Sequence, residues 1–307
     1  MSAEIDVWIK EKITPLFEEI KSIKNDGEIT SPGNLWSLKK EVALHLYIPS
    51  YFNIIKNHFE KWYYYDPFCG SGLFEFKQQG ILQGEKFGGS PIVALSQQKK
   101  YPFNDYFLSD LSEEATTTLK KRIKNLYKSD LNVESIDFRS SISQVERIDA
   151  RTGHESCLAF IDPVGYIPIP WVDIERLLQV QTCDLFIVVM TSDLNRNLAI
   201  ALNPEQSGDQ GLTEFLGNES WRECQNGDEI VERYRQQIAS YGKFTEVLSV
   251  NRVGETKIYD IILTTRSDGG IRVMRGIAEK LRDVTTEKIK TQAITSSGRI
   301  SSMDSYF

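Results

Sequence analysis

The heptapeptide Asp66-Pro67-Phe68-Cys69-Gly70-Ser71-Gly72, placed directly after the aromatic run WYYY at 62–65, constrains this chain more than any other feature. An aromatic-rich run of this kind is a strand signal. Gly70 and Gly72 beyond it let the backbone turn sharply and approach a ligand where a Cβ would stand in the way. A strand running into a glycine turn that opens a helix belongs to doubly wound α/β sheets, whose ligands sit outside the carboxyl ends of the strands.

The rest of the chain keeps that rhythm. Apolar residues recur at helical spacing over 4–25, and a second helical pattern runs from about 35 to 60. Residues 1–60 therefore read as an N-terminal helical cap on an α/β domain spanning 61–292. Within it, SPIVALSQQ (90–98) reads as a helix with Ser90 at its start and Pro91 at its first position. DYFLSD (105–110) is a strand followed by a helix, and a weaker strand and a helix follow near 133–138. CLAFIDP (157–163) is a strong strand, and a helix at 171–180 leads to the continuous apolar strand CDLFIVVMT (183–191), the pattern of a strand covered on both faces. A polar, glycine-bearing stretch at about 195–226 interrupts the alternation and reads as an insertion with one or two short helices. A helix at 228–241, a β pair (KFTEVLSVNRV, TKIYDIILTTR) and a helix from 270 to 290 follow, before a serine-rich flexible tail at 293–307. The expected fold is α/β: a Rossmann-like doubly wound sheet with an antiparallel edge hairpin.

Two acids frame the glycine loop. Asp66 ends the first sheet strand and can hold the cationic end of a ligand; Asp110 ends the next one and can accept both ribose hydroxyls of an adenosine. Each such charge-assisted bond is worth roughly 1.5–3 kcal/mol. A nicotinamide fingerprint lacks its third glycine, position 75 being Glu75, and no GK[ST] follows that would make a phosphate loop. Gly89-Ser90-Pro91 opens a helix, whose N-terminus favours an anion such as a carboxylate. Lys40, on the second helix, is within reach of the pocket mouth.

Charge and ligand chemistry exclude other classes. Cys69, Cys157, Cys183 and Cys224 form no CxxC pair and only three histidines exist, so no metal site is expected. The net charge of −7 argues against tight unassisted binding of duplex DNA, and leaves a small or structured RNA open. No stretch approaches the roughly 18 apolar residues of a membrane helix, and the acidic, amphipathic start is unlike a signal peptide, so a cytoplasmic location is expected.

DPFCGSG closely resembles the first motif of amino-group DNA and RNA methyltransferases. With GSPIVAL (89–95), FIDPVGY (160–166), FLGNESW (215–221) and YDIILTTRSDGGIRVMR (259–275), the chain is similar to the three-Cys-motif partner proteins over most of residues 35–280. That resemblance implies a sheet of class I methyltransferase type, S-adenosylmethionine as cofactor, and work alongside a protein bearing a three-cysteine motif. It makes Asp66, Phe68, Cys69, Gly70, Gly72, Ser90 and Asp110 the cofactor contacts. It also places Asp162-Pro163-Val164-Gly165-Tyr166 where amino-methyltransferases carry DPPY.

An exocyclic amine is a poor nucleophile because its lone pair is delocalised, and acceptors on its N–H groups favour the reactive pyramidal form. By resemblance the Asp162 carboxylate and the Pro163 carbonyl are those acceptors, and Tyr166 stacks on an extruded base. Val164-Gly165 replaces a single proline there and loosens the turn. The sequence therefore supports a methyltransferase acting on an amino nitrogen in nucleic acid. It leaves two alternatives: a cofactor-binding partner subunit with little catalysis of its own, and a methyltransferase for a protein or small molecule.

Overall fold

A computed structural model describes residues 2–77, 80–148, 154–203, 210–252 and 256–298. The chain begins with α1 (Ser2–Glu18), β1 (Ser31–Gly33) and α2 (Leu35–Ile55). It continues with β2 (Lys61–Asp66), β3 (Leu73–Phe76), β4 (Lys86–Gly88), α3 (Ser90–Ser96), β5 (Asp105–Asp110) and α4 (Glu113–Tyr127). The middle of the chain holds β6 (Val133–Ser135), α5 (Phe138–Glu146), β7 (Glu155–Ile161), α6 (Trp171–Gln179) and β8 (Cys183–Val189). The last part comprises α7 (Thr191–Ala201), α8 (Gln210–Leu216), α9 (Gly227–Ser240), β9 (Phe244–Asn251), β10 (Lys257–Thr265), α10 (Asp268–Arg282) and α11 (Thr286–Ser297).

Seven strands form the central sheet in the order β6-β5-β2-β7-β8-β10-β9. The first five run parallel; β10 is antiparallel to β8 and to β9, so the late β pair closes one edge as a hairpin. This is the Rossmann-like, class I methyltransferase type of sheet, with the order reversing between β2 and β7. Ligands of such sheets sit at that switch, outside the carboxyl ends.

Strand side chains alternate between faces, and the two core clusters follow. Tyr64 faces a cluster built with α1, α2, α3, α4, α10 and α11, while Tyr65 faces one built with α5 to α9. Cys183–Val189 is buried at nearly every position, as the apolar run Leu185–Val189 predicts. Burying one such Leu or Ile stabilises the fold by roughly 1.5–3 kcal/mol.

Four readings need correction. The CGSG turn does not open a helix: Leu73-Phe-Glu-Phe76 continues as β3, pairs antiparallel with β4 and parallel with β1, and the helix waits until Ser90. The alternation of Phe74 and Phe76 suits a strand, and both rings pack on Phe87 of β4. The first sixty residues are built into the main body rather than set on top of it. Tyr47 of α2 donates to Asp184 of β8 at 2.7 Å, Tyr51 bonds Ser156 of β7 at 2.7 Å, and α2 packs on α10. The interruption begins later than 195, because α7 continues to Ala201; α8 and a 3-10 turn at Ser220–Glu223 supply its short helices, and 204–209 lie outside the described residues. The last helix divides in two, and α11 carries helix through Ser297 where a tail is expected; 299–307 lie outside the described residues. Among the described residues no helix is long and apolar enough to cross a membrane.

Candidate cofactor and acceptor site

A cavity of about 790 Å³ opens at the carboxyl ends of β2, β5, β7 and β8. Its size falls within the roughly 300–1,000 Å³ of small-molecule sites. The glycine loop forms one wall. Gly70 has φ +56° and Gly72 φ +83°, and a Cβ at Gly72 would lie 2.7 Å from Leu119 Cδ1, so the loop conformation needs glycine there. The Gly70 amide donates to Asp110 Oδ2 at 3.0 Å, and the Ser112 amide donates to Asp110 Oδ1 at 2.9 Å. Asp110 lines the cavity, and each of its oxygens retains acceptor capacity beyond its one backbone donor.

Of the residues expected to contact a cofactor, Phe68, Cys69, Gly70, Gly72, Ser90 and Asp110 line this cavity together. Asp66 does not. It is fully buried behind Ser90, whose hydroxyl donates to Asp66 Oδ2 at 2.6 Å; Tyr64 Oη and the Phe68 amide donate at 3.3 Å. Asp66 thus orients Ser90 and the loop from below. Burial pushes its carboxyl up to about 7, against the hydrogen bond from Ser90. Burial also raises the Cys69 thiol well above its ordinary value, which is the opposite of a nucleophile's tuning.

Asp162 and Pro163 line the same cavity, at the end of β7. Asp162 forms an ion pair with Lys40 of α2, whose ammonium also lies 5.0 Å from the centre of the Phe74 ring. Burial disfavours the Lys40 charge, but Asp162, Glu41 and Asp66 together hold its pKa above the ordinary value. Glu41, the next residue, is fully buried, and neither carboxyl oxygen has a hydrogen-bond partner among the described residues. Burial raises its pKa well above the carboxylate range, with Lys40 pulling the other way.

Tyr166 lies elsewhere. Gly165 adopts φ +82°, and the extra residue of Val164-Gly165 turns Val164 out to 97% exposure at the cavity mouth while Tyr166 goes inward. The Tyr166 ring is 3% exposed and meets Phe215 edge-on, centroids 5.6 Å apart. It is not among the cavity walls, so the stacking role expected of it has no place in this arrangement.

The opposite wall carries Phe138, whose ring packs on Phe68 at 5.5 Å, and Arg139, paired with Asp173 at 3.0 Å. The segment Ser31–Lys40 closes the remaining side with Asn34, Trp36 and Ser37. Sequence reasoning put Lys40 within reach of the pocket mouth, where it lies, and missed Glu41, Trp36, Phe74 and Phe138. A signal was there: Lys39-Lys40-Glu41 puts three charges inside an otherwise apolar helix, which buries 13 of its 21 residues.

No family model matches the sequence, and no curated protein matches it. Among solved structures, protein LPL1258 from Legionella pneumophila is 14% identical, with a TM-score of 0.51 over 81% of this chain and 92% of its own. The likeness is one of fold. Trm1 from Pyrococcus horikoshii, solved with S-adenosyl-L-methionine, is 13% identical with a TM-score of 0.39, covering 76% of this chain and 58% of its own. The plantazolicin methyltransferase BpumL, solved with S-adenosylhomocysteine, is 15% identical with a TM-score of 0.39, covering 92% of this chain and 93% of its own.

Proposed function

We propose that the chain binds S-adenosylmethionine in this cavity and transfers its methyl group to an amino nitrogen. The observation that carries the reading is the convergence of the glycine loop, Asp110 and Asp162 on one cavity at the strand-order switch. The walls fit the cofactor's parts. Asp110 has acceptor capacity for the ribose hydroxyls, Phe68 and Phe138 offer apolar faces for an adenine, and the loop without Cβ atoms at 70 and 72 admits close approach. When bound, the cofactor supplies an electrophilic methyl on a sulfonium.

The chain's own work is to position the acceptor against it. Asp162, fixed by Lys40, presents a carboxylate oxygen to an acceptor N–H, and the Pro163 segment forms the adjoining wall. A nucleic-acid acceptor, and a three-cysteine-motif protein as partner, are the finer form of this proposal. They rest on DPFCGSG, FIDPVGY and the further segments that resemble the partner-protein family. A location in the cytoplasm goes with the same reading.

The second reading, a cofactor-binding subunit with little catalysis of its own, draws on Tyr166: its burial leaves the acceptor side without the aromatic platform that base methylation uses. One experiment separates the two. S-adenosylmethionine binding is measured by calorimetry, and methyl transfer from labelled cofactor is assayed against cellular RNA, DNA and protein, with and without the candidate partner. Binding with transfer to RNA or DNA supports the enzyme; binding with no transfer to any pool supports the subunit; no binding overturns both.

A further inference from the structure

Behind the cavity wall, four ionisable groups from three elements meet: Lys40 and Glu41 of α2, Asp66 at the end of β2, and Asp162 just past β7. Asp162 alone of the carboxyls is ion-paired. The donors to Asp66 are all neutral, and Glu41 has none among the described residues. The neighbouring Lys39 is directed away, donating to the Val284 carbonyl at 3.2 Å. Other titratable groups facing the cluster are Tyr64 from β2, Tyr259 from β10 and Cys69 from the loop, and burial raises the pKa of each. They are neutral at physiological pH and supply no positive charge.

Two fully buried carboxyls and a third that is largely buried thus surround one ammonium. Such a surplus costs stability unless the unpaired acids stay protonated or a second cation arrives. The cluster borders the cavity through Lys40, Asp162 and Ser90. We propose that Glu41, Asp66 and Asp162 around Lys40 form the counter-charge that makes the cavity select a cationic sulfonium ligand over its neutral thioether product, a proton leaving the cluster as the cation enters.

The inference rests on the S-adenosylmethionine reading. The proton passes to solvent when the sulfonium binds. As the S–CH3 bond breaks and the N–CH3 bond forms, the acceptor nitrogen sheds one proton and the cluster takes one up, so a single proton is released over the complete cycle. Product is then held less tightly than substrate without any change in shape. Asp66, pushed up to about 7, is the member placed to exchange the proton near neutrality. Linkage makes sulfonium affinity rise with pH, by up to about tenfold per unit from about pH 5.5 to 7, with a plateau above about pH 8.

The test is the affinity of the full chain for S-adenosylmethionine and for S-adenosylhomocysteine, by calorimetry, between about pH 5.5 and 8.5. The expected result is a preference for the sulfonium that grows with pH in the natural protein. Proton release, measured in buffers of different ionisation enthalpy, should accompany sulfonium binding only. Asp66→Asn or Glu41→Gln, which keep the shape and remove the ionisable proton, should flatten the preference. A slope that survives in both variants would belong to the ligands' own amino groups and would overturn the proposal. So would a pH-independent preference in the natural protein, a measurement that needs no variant to fold. If neither ligand binds, the cofactor reading itself fails; if both bind with a constant ratio, only this inference does.

Discussion

Lys40 of α2 and Asp162 beyond β7, 122 residues apart in the chain, form an ion pair in which both side chains are about nine-tenths buried. It joins the N-terminal helices to the strand end that carries the candidate acceptor group. Removing one partner leaves the other charged and desolvated, which costs about 3–5 kcal/mol. Lys40→Met should lower the unfolding free energy by that amount in urea titration, and adding Asp162→Asn should recover part of it. A loss below about 1 kcal/mol would place the pair among weak surface bridges.

Asp110 links the glycine loop to the proposed ribose end of the cavity. Asp110→Ala removes the acceptor of the Gly70 amide as well as the proposed ribose contacts. S-adenosylmethionine affinity should fall by about two powers of ten or more, at roughly 1.5–3 kcal/mol per charge-assisted bond lost. Calorimetric titration reads this directly, and an unchanged dissociation constant would remove Asp110 from the site.

Gly72 combines φ +83° with a Cβ direction blocked by Leu119. Gly72→Ala should therefore destabilise the chain by about 1–3 kcal/mol through backbone strain and also weaken cofactor binding. Leu119→Ala in the same chain relieves the clash but not the φ strain, so the rescue should be incomplete.

Tyr166 separates packing from acceptor stacking. Tyr166→Leu keeps an apolar group against Phe215 and deletes the aromatic face; the stability cost should be about 1.5–3 kcal/mol, on the scale of shape changes in a packed core. The turnover rate at saturating acceptor should stay within about twofold of the natural protein, whereas a tenfold fall in rate at normal fold content would restore a stacking role.

His45, on α2, is largely buried, and burial together with the charge of Lys12 lowers its pKa to about 4. Gln97 Nε2 lies 3.3 Å from its Nδ1, which fits an acceptor on a neutral ring. The folded chain resists a proton that the unfolded chain takes up near its ordinary 6.5. The His45 contribution to stability is thus full above about pH 6.5 and is lost as pH falls toward 4. Denaturant midpoints for His45→Gln should show a shallower decline over that interval than the natural chain does.

The alternating βα pattern made most of the sheet legible, because Leu185–Val189 of β8 is apolar without a break and the strands at 61–66, 105–110 and 155–161 end in or just before an acid. Two things escaped. The strand β3 follows a glycine turn so closely that periodicity over four residues cannot tell it from the start of a helix; only its pairing with β1 and β4 decides. The Lys40–Asp162 pair is a relation between residues 122 apart: the charged run Lys39-Lys40-Glu41 marks a buried site on α2, but not the strand end it meets. At DPVGY the sequence held the right question, since the extra residue does turn Tyr166 from the cavity, but the direction of the turn depends on Gly165 and on space beside Phe215.

The fully buried guanidinium of Arg122 donates to the Ser71 carbonyl inside the glycine loop at 2.8 Å, and to Asp26 and the Glu28 carbonyl in the segment before β1. With β1 paired to β3, this fork fastens the loop and the N-terminal arm into one piece. Any truncation that starts the chain at the first strand of the main sheet would take away the clasp along with the arm. The loop would keep its glycines and lose the frame that gives them a shape.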